Sequence, residues 1–321
     1  MKLLARHPVA SLAIAAVILA LALLPMFAMP YHVRVGQLFL LSAALALAWH
    51  ILGGFAGYWS FGHTAFVGIG AFTAGLLHFH LKLPPMTGFV AGTLLAGLVS
   101  GGLAALIAYP VLRLRGIYFA IALLGVSQVF GELSQNVDAF QGALGLNLPD
   151  IVPDDLRPEV FFYYCFLALA LGIFLFSAWL RDSRLGYGLA AIREDEDTAR
   201  MLGVPTERFK VATFVLSAAL TGVIGAVYAY SLGYFTSASV FRVDFSLNMI
   251  LHALLGGIGT LTGPVIGAAL LVFVTNVLLG QLLDLHLLVT GVLVIALVLL
   301  APSGILGLAR RLREKLSGGP R

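Results

Sequence analysis

Between residues 9 and 302 the chain is an almost continuous succession of apolar runs joined by short polar or glycine-containing links. Ten runs are counted, near 9–29, 36–53, 59–80, 86–108, 117–131, 160–180, 209–232, 246–259, 263–281 and 286–302. A helix needs about 20 apolar residues to cross the hydrocarbon core, and a backbone in lipid must satisfy its own hydrogen bonds. The expected fold is therefore an all-α integral membrane bundle of about ten spans, with the lipid bilayer as its first partner. With 60% hydrophobic and 11% charged residues, no segment is polar enough for a separate water-soluble module. Residues 1–321 are read as one transmembrane domain. The first run follows Lys2 and Arg6 as a signal peptide would, but it is too long and lacks a small-residue cleavage site, so a retained anchor is expected.

Orientation follows from the cations, because short cytoplasmic loops carry the excess of Lys and Arg. With the N-terminus inside, fifteen cations fall inside, including Arg113, Arg115, Arg181, Arg184, Arg193, Arg200, Arg208 and Lys210. Four, Arg34, Lys82, Arg157 and Arg242, fall outside. Both termini are then cytoplasmic, with a tail at 303–321. The same clustering explains the net charge of +4 as a topology signal, and nucleic acid is not an expected partner. An acidic loop at 132–159 is external, and a polar loop at 181–208 is cytoplasmic.

Glycine separates the runs. Gly53, Gly54, Gly57, Gly62, Gly68, Gly70 and Gly75 crowd one region, and Gly256, Gly257, Gly259, Gly263 and Gly267 another. Small residues allow close helix packing in lipid. They equally suit broken or re-entrant helices at matching places in two repeated halves, which is how many transporters build a path near the midplane. Both readings stand. Ser60, His63, Gln128, Glu132, Gly256, Gly257 and Gly259 are the candidates to line such a path, with Glu132 and Gln128 one turn apart at the outer mouth. His78 and His80 are two apart on a helix and diverge, so no metal site is expected. Cys165 has no partner for a disulfide.

The chain has no catalytic signature. No Gly-Lys dipeptide exists among its residues, so no phosphate-binding Walker loop is present, and no nucleophile elbow or zinc motif appears. It is not read as an enzyme, and no cofactor is expected in it. Span centres nearly free of carboxylates argue against an ion-coupled carrier and for an external motor. A self-sufficient secondary transporter or channel is the rival reading. Against that background the four consecutive acids Glu194, Asp195, Glu196 and Asp197 stand out. They fall in a helix-compatible run, 189–202, that stops at Gly203 with Pro205 beyond. The expectation is one short cytoplasmic helix carrying the acids at its middle.

Asp197, Thr198 and Ala199 followed by Gly203 meet the loose pattern of the coupling loop of ABC-importer permeases. Stronger is the ordered set GYWSFGH at 57–63, RLRGIYFA at 113–120, AIREDE at 191–196 and GGIGTLTGP at 256–264. Over about residues 36–305 the chain resembles the LivM-type permeases of branched-chain amino acid ABC importers. The resemblance implies a bacterial inner-membrane permease working with a second, LivH-like permease subunit, two cytoplasmic ATP-binding subunits that use the ATP, and a periplasmic substrate-binding protein. It implies that Arg193, Glu194, Asp195, Glu196, Asp197, Thr198, Ala199 and Gly203 couple to the ATPase. At 140–146 the sequence FQGALGL departs from the family's usual turn, which leaves urea or short amides open beside leucine, isoleucine and valine as substrates.

Overall fold

The computed structural model describes residues 8–141, 144–153, 155–278, 291 and 304–307. Five helices come first: α1 (Pro8–Phe27), α2 (Pro30–Gly53), α3 (Thr64–Leu81), α4 (Pro85–Val111) and α5 (Ile117–Asn136). After a two-residue strand, β1 (Leu146–Asn147), come α6 (Pro158–Arg181), α7 (Arg184–Glu194), α8 (Glu196–Met201) and α9 (Thr206–Leu232). Strand β2 (Tyr234–Phe235) precedes α10 (Ser237–Val240), α11 (Val243–Gly256) and α12 (Gly263–Val272). Proline opens α2, α4 and α6, where its missing N–H costs no intrahelical bond.

Seven helical stretches among the described residues are long and apolar enough to cross a bilayer: α2, α3, α4, α5, α6, α9, and α10 with α11 taken together. Shorter apolar helices at Ala16–Phe27 and Gly263–Asn276 match the first and ninth runs. The tenth run, 286–302, lies outside the described residues except for 291, as does the tail 303–321 except for 304–307. The protein is thus all-α and multi-pass.

The long helix α9 is the hub, packed on α2, α3 and α4. Glycines set the spacing. A Cβ on Gly70 would lie 2.0 Å from the Gly222 carbonyl oxygen, one on Gly225 would lie 2.2 Å from that of Val67, and one on Gly222 would lie 2.2 Å from Ser100 Oγ. In these three places α3, α9 and α4 touch backbone to backbone or nearly so, which suits lipid, where packing replaces the hydrophobic drive.

Loops sort by end. At one end α7 and α8 meet the α2–α3 link, where Arg193 Nη1 donates to the Gly54 carbonyl at 3.1 Å. They also meet the α4–α5 link through Arg115 and Asp197, and the α11–α12 turn, where Arg193 packs over Gly259; the Gly259 N–H donates to His50 Nε2 at the end of α2. At the other end β1 pairs antiparallel with β2, joining the 132–159 loop to the α9–α10 link. These links therefore sort to two ends in alternation along the chain.

Three expectations need correction. The run 189–202 is two helices, broken at Asp195, whose extended backbone ends α7 and whose side chain caps α8. The eighth span begins at Ser237, earlier than the expected 246, and is interrupted at residues 241–242. Arg242 consequently leaves its expected external loop for the interior length of the bundle. The third span begins as a helix only at Thr64, after an irregular lead-in from 54.

Candidate functional site

Ser183 starts the polar element by accepting the Gly186 N–H on its side chain, an N-cap. Leu189 and Ile192 are buried, so α7 lies with its apolar face on the bundle. A Cβ on Gly188 would collide with the Phe209 ring at the start of α9, which shows how closely α7 approaches. At the far end of α7, Arg193 reaches the Gly54 carbonyl and packs over Gly57 and Gly259. A Cβ on Gly259 would lie 2.2 Å from Arg193 Nη1, and the backbone there has φ +80°, so glycine is required twice over.

The four acids divide into different tasks. Glu194 projects outward, its side chain 80% exposed, touching only Arg193 among the described residues. Asp195 accepts the Thr198 N–H at 2.6 Å, and the Thr198 side chain together with this N–H holds its carboxyl below the ordinary value. Asp197 takes a bidentate contact from Arg115 at 2.8 and 2.9 Å, which lowers its carboxyl and raises the Arg115 guanidinium. Glu196 turns inward. Its Oε1 accepts Lys210 Nζ at 2.6 Å and its Oε2 accepts the Tyr58 hydroxyl at 2.5 Å, with Arg200 and Arg115 at 3.4 and 3.8 Å.

Burial works against the charged form of Glu196, yet the hydrogen bonds from Lys210 and Tyr58 outweigh it and hold the carboxyl below its ordinary value. Lys210 is itself buried and also donates to the Leu112 carbonyl at 3.3 Å. One carboxylate thus fastens α8 to the α2–α3 link, the end of α4 and the first turns of α9. Ala199 is buried beneath it, and Gly203, at φ +86°, ends the element in the left-handed region that favours glycine.

Ser60 and His63 form a second centre, deeper in the bundle. His63 Nδ1 meets Ser60 Oγ at 2.6 Å, and Nε2 meets Ser217 Oγ at 2.7 Å. Ser217 in turn donates to the Ala48 carbonyl, and Trp49 Nε1 donates to the Ser60 carbonyl. All of these side chains are fully buried. The geometry is that of a clasp joining α2, α3 and α9. Gln128 and Glu132 do not join it: both are exposed on α5, where Glu132 bonds Asn136 one turn on. Gly256, Gly257 and Gly259 form the tight α11–α12 turn at the polar end, with Gly256 against the Gly263 backbone.

Reading the residues singly missed Tyr58, Arg115 and Lys210 as members of the cluster. Tyr58 sits inside a run that stood out for its glycines, and the two cations were counted only as topology charges.

A multi-pass helical bundle with an amphipathic, multiply fastened helix pair at one end is the build of a membrane transport subunit. The family model of the branched-chain amino acid transport system / permease component matches residues 32–298. The chain is 31% identical over 308 residues to the high-affinity branched-chain amino acid transport system permease protein LivM of Salmonella typhimurium, covering 85% of this chain and 69% of that protein. It is 30% identical over 312 residues to the LivM of Escherichia coli, covering 87% and 70%. To the LivH permease protein of Escherichia coli it is 27% identical over 292 residues, covering 83% and 91%. No solved structure matches it. The chain belongs to this family of permease components, whose members are transport subunits.

Proposed function

We propose that the chain is one of two permease subunits in an ABC importer and forms part of the translocation path for branched-chain or closely related amino acids. Similarity to both LivM and LivH proteins supports a pair of related permeases. ATP is hydrolysed by two separate cytoplasmic subunits docked on α7 and α8, and substrate arrives with a binding protein at the 132–159 end. Both termini face the cytoplasm of a bacterial inner membrane, with ten spans in all.

The observation that carries this reading is the division of labour among the acids. Glu196 and Asp197 hold α8 to the bundle, while Glu194 is presented outward beside Arg193. A surface that is held rigidly and still offers charge can transmit a pull, and rigid-body rocking around a fixed path is how alternating access proceeds. Arg193, resting on the α2–α3 link and the α11–α12 turn, passes that pull to both.

The test is Glu194→Lys in the assembled complex with its ATPase subunits, partner permease and binding protein. Substrate-stimulated ATP hydrolysis is expected to be lost while membrane insertion and thermal stability of the permease stay unchanged. Normal stimulation in this variant would sink the coupling role.

A further inference from the structure

Arg242 and Asp244 form an ion pair at the α10–α11 break, Arg242 Nη2 to Asp244 Oδ2 at 2.7 Å, with side chains 61% and 60% exposed. Their neighbours fix the depth. The Arg242 carbonyl accepts the Thr64 hydroxyl at 2.6 Å, and the Thr64 N–H donates to Ser246 Oγ at 2.8 Å. Thr64 follows His63, which is tied to Ser217 in the body of α9. The pair also shares a cleft of about 230 Å³ with Leu38, Leu41 and Leu45. In the 24 residues of α2 these occupy the middle, about 17 Å from its start at 1.5 Å per residue.

A charged pair at the break of a spanning segment does not face hydrocarbon. Such groups face a water-filled path or another protein. Below the pair, Asn248 and His252 follow Asp244 at four-residue intervals, so the three stand on one face of α11 and line the same cleft. His252 is 5% exposed, and its Nδ1 has no hydrogen-bond partner among the described residues. Among those residues Asp244 pairs only with Arg242, two positions away. One wall of the cleft is thus a polar ladder, and the other carries Leu38, Leu41 and Leu45 with Ser42 and Tyr228 beside them.

We propose that this cleft is a transit site for a zwitterionic aliphatic amino acid. The Arg242 guanidinium takes the α-carboxylate, the Asp244 carboxylate takes the α-ammonium, and the branched side chain lies against Leu41 and Leu45. The assignment rests on the reading of the chain as an amino acid permease and adds the groups that would handle the cargo. The exchange conserves charge: the protein's ion pair opens, and each partner receives the opposite end of the ligand. Because a pair is lost as two are gained, binding stays weak, and a site from which a solute must leave needs weak binding.

The experiment uses the complete complex in proteoliposomes, with radiolabelled leucine as probe and three variants: Arg242→Gln, Asp244→Asn and the charge-swapped double R242D/D244R. Each single variant is expected to lose transport by on the order of tenfold, the change that about 1.4 kcal/mol of lost contact produces. ATP hydrolysis stimulated by loaded binding protein and co-purification with the second permease are expected to persist. The double variant, which keeps an ion pair but reverses the ligand's ends, is expected to stay impaired. Recovery of transport in the double variant would show a purely structural pair and overturn the proposal. So would loss of co-purification in the single variants, which would place the pair in the subunit interface, and so would wild-type transport in them. A wild-type complex that moves no amino acid would instead overturn the functional reading and the site with it.

Discussion

Glu196 and Asp244 are both carboxylates held by a basic side chain in a greasy protein, and they are held in opposite ways. Glu196 is reached by Lys210, Tyr58, Arg200 and Arg115, two of them more than 80 residues away in sequence. Asp244 is reached by its near neighbour Arg242 and is open on its other side. Where partners converge from separate helices, the charge belongs to the architecture and its removal leaves a buried cation behind. Where the partner is local and the side chain exposed at mid-length, the charge is free to be exchanged for a ligand.

The sharpest way to break this contrast is to delete each carboxylate and follow thermal unfolding of the purified permease. Glu196→Ala strands the buried Lys210 ammonium and is expected to cost about 3 kcal/mol, the range for breaking a buried pair from one side. Adding Lys210→Met should recover most of that loss. Asp244→Asn in the same assay is expected to change stability by less than about 1 kcal/mol. Equal losses in the two variants would erase the distinction.

Acid sharpens it further. The folded-state carboxyl of Glu196 is held below its ordinary value of 4.5, so its stabilising contribution is fully present above that value and disappears as pH falls through the lowered one. Wild-type unfolding temperature should therefore fall more steeply between pH 5 and pH 3 than that of Glu196→Gln, as a melting series will show. The smallest effect belongs to Arg115→Ala. Its contact with Asp197 is bidentate but more than half exposed on both sides, and its removal should cost below about 1 kcal/mol, with greater sensitivity to salt than the Glu196 variants show.

The sequence made the membrane class legible because a bilayer demands long apolar runs, and the runs at 86–108, 160–180 and 209–232 lie within the observed α4, α6 and α9. The break at Asp195 had a sequence signal that the single-helix expectation passed over. An Asp followed by two acids and Thr198 is an N-cap with its first turn, but the acids read more readily as one charged patch on a single helix. The partners of Glu196 were not legible, since only the fold brings residues 58, 115 and 210 to one place. Arg242 was misplaced for a related reason. A hydropathy count assigns a charge to the nearest loop, whereas a broken helix can hold it at mid-length.

The two-rung ladder between β1 and β2 has a mechanical meaning. Phe235 pairs with Leu146 and Tyr234 with Asn147, and the Leu148 N–H donates to the Gly233 carbonyl at 2.7 Å. Only six residues separate Phe235 from Arg242, and they include the tight turn of α10. A binding protein docked on the 132–159 loop, as proposed, would bear on a short segment whose other end is the charged pair. Under the proposed function, docking on that loop and opening of the ion pair would be linked through this ladder.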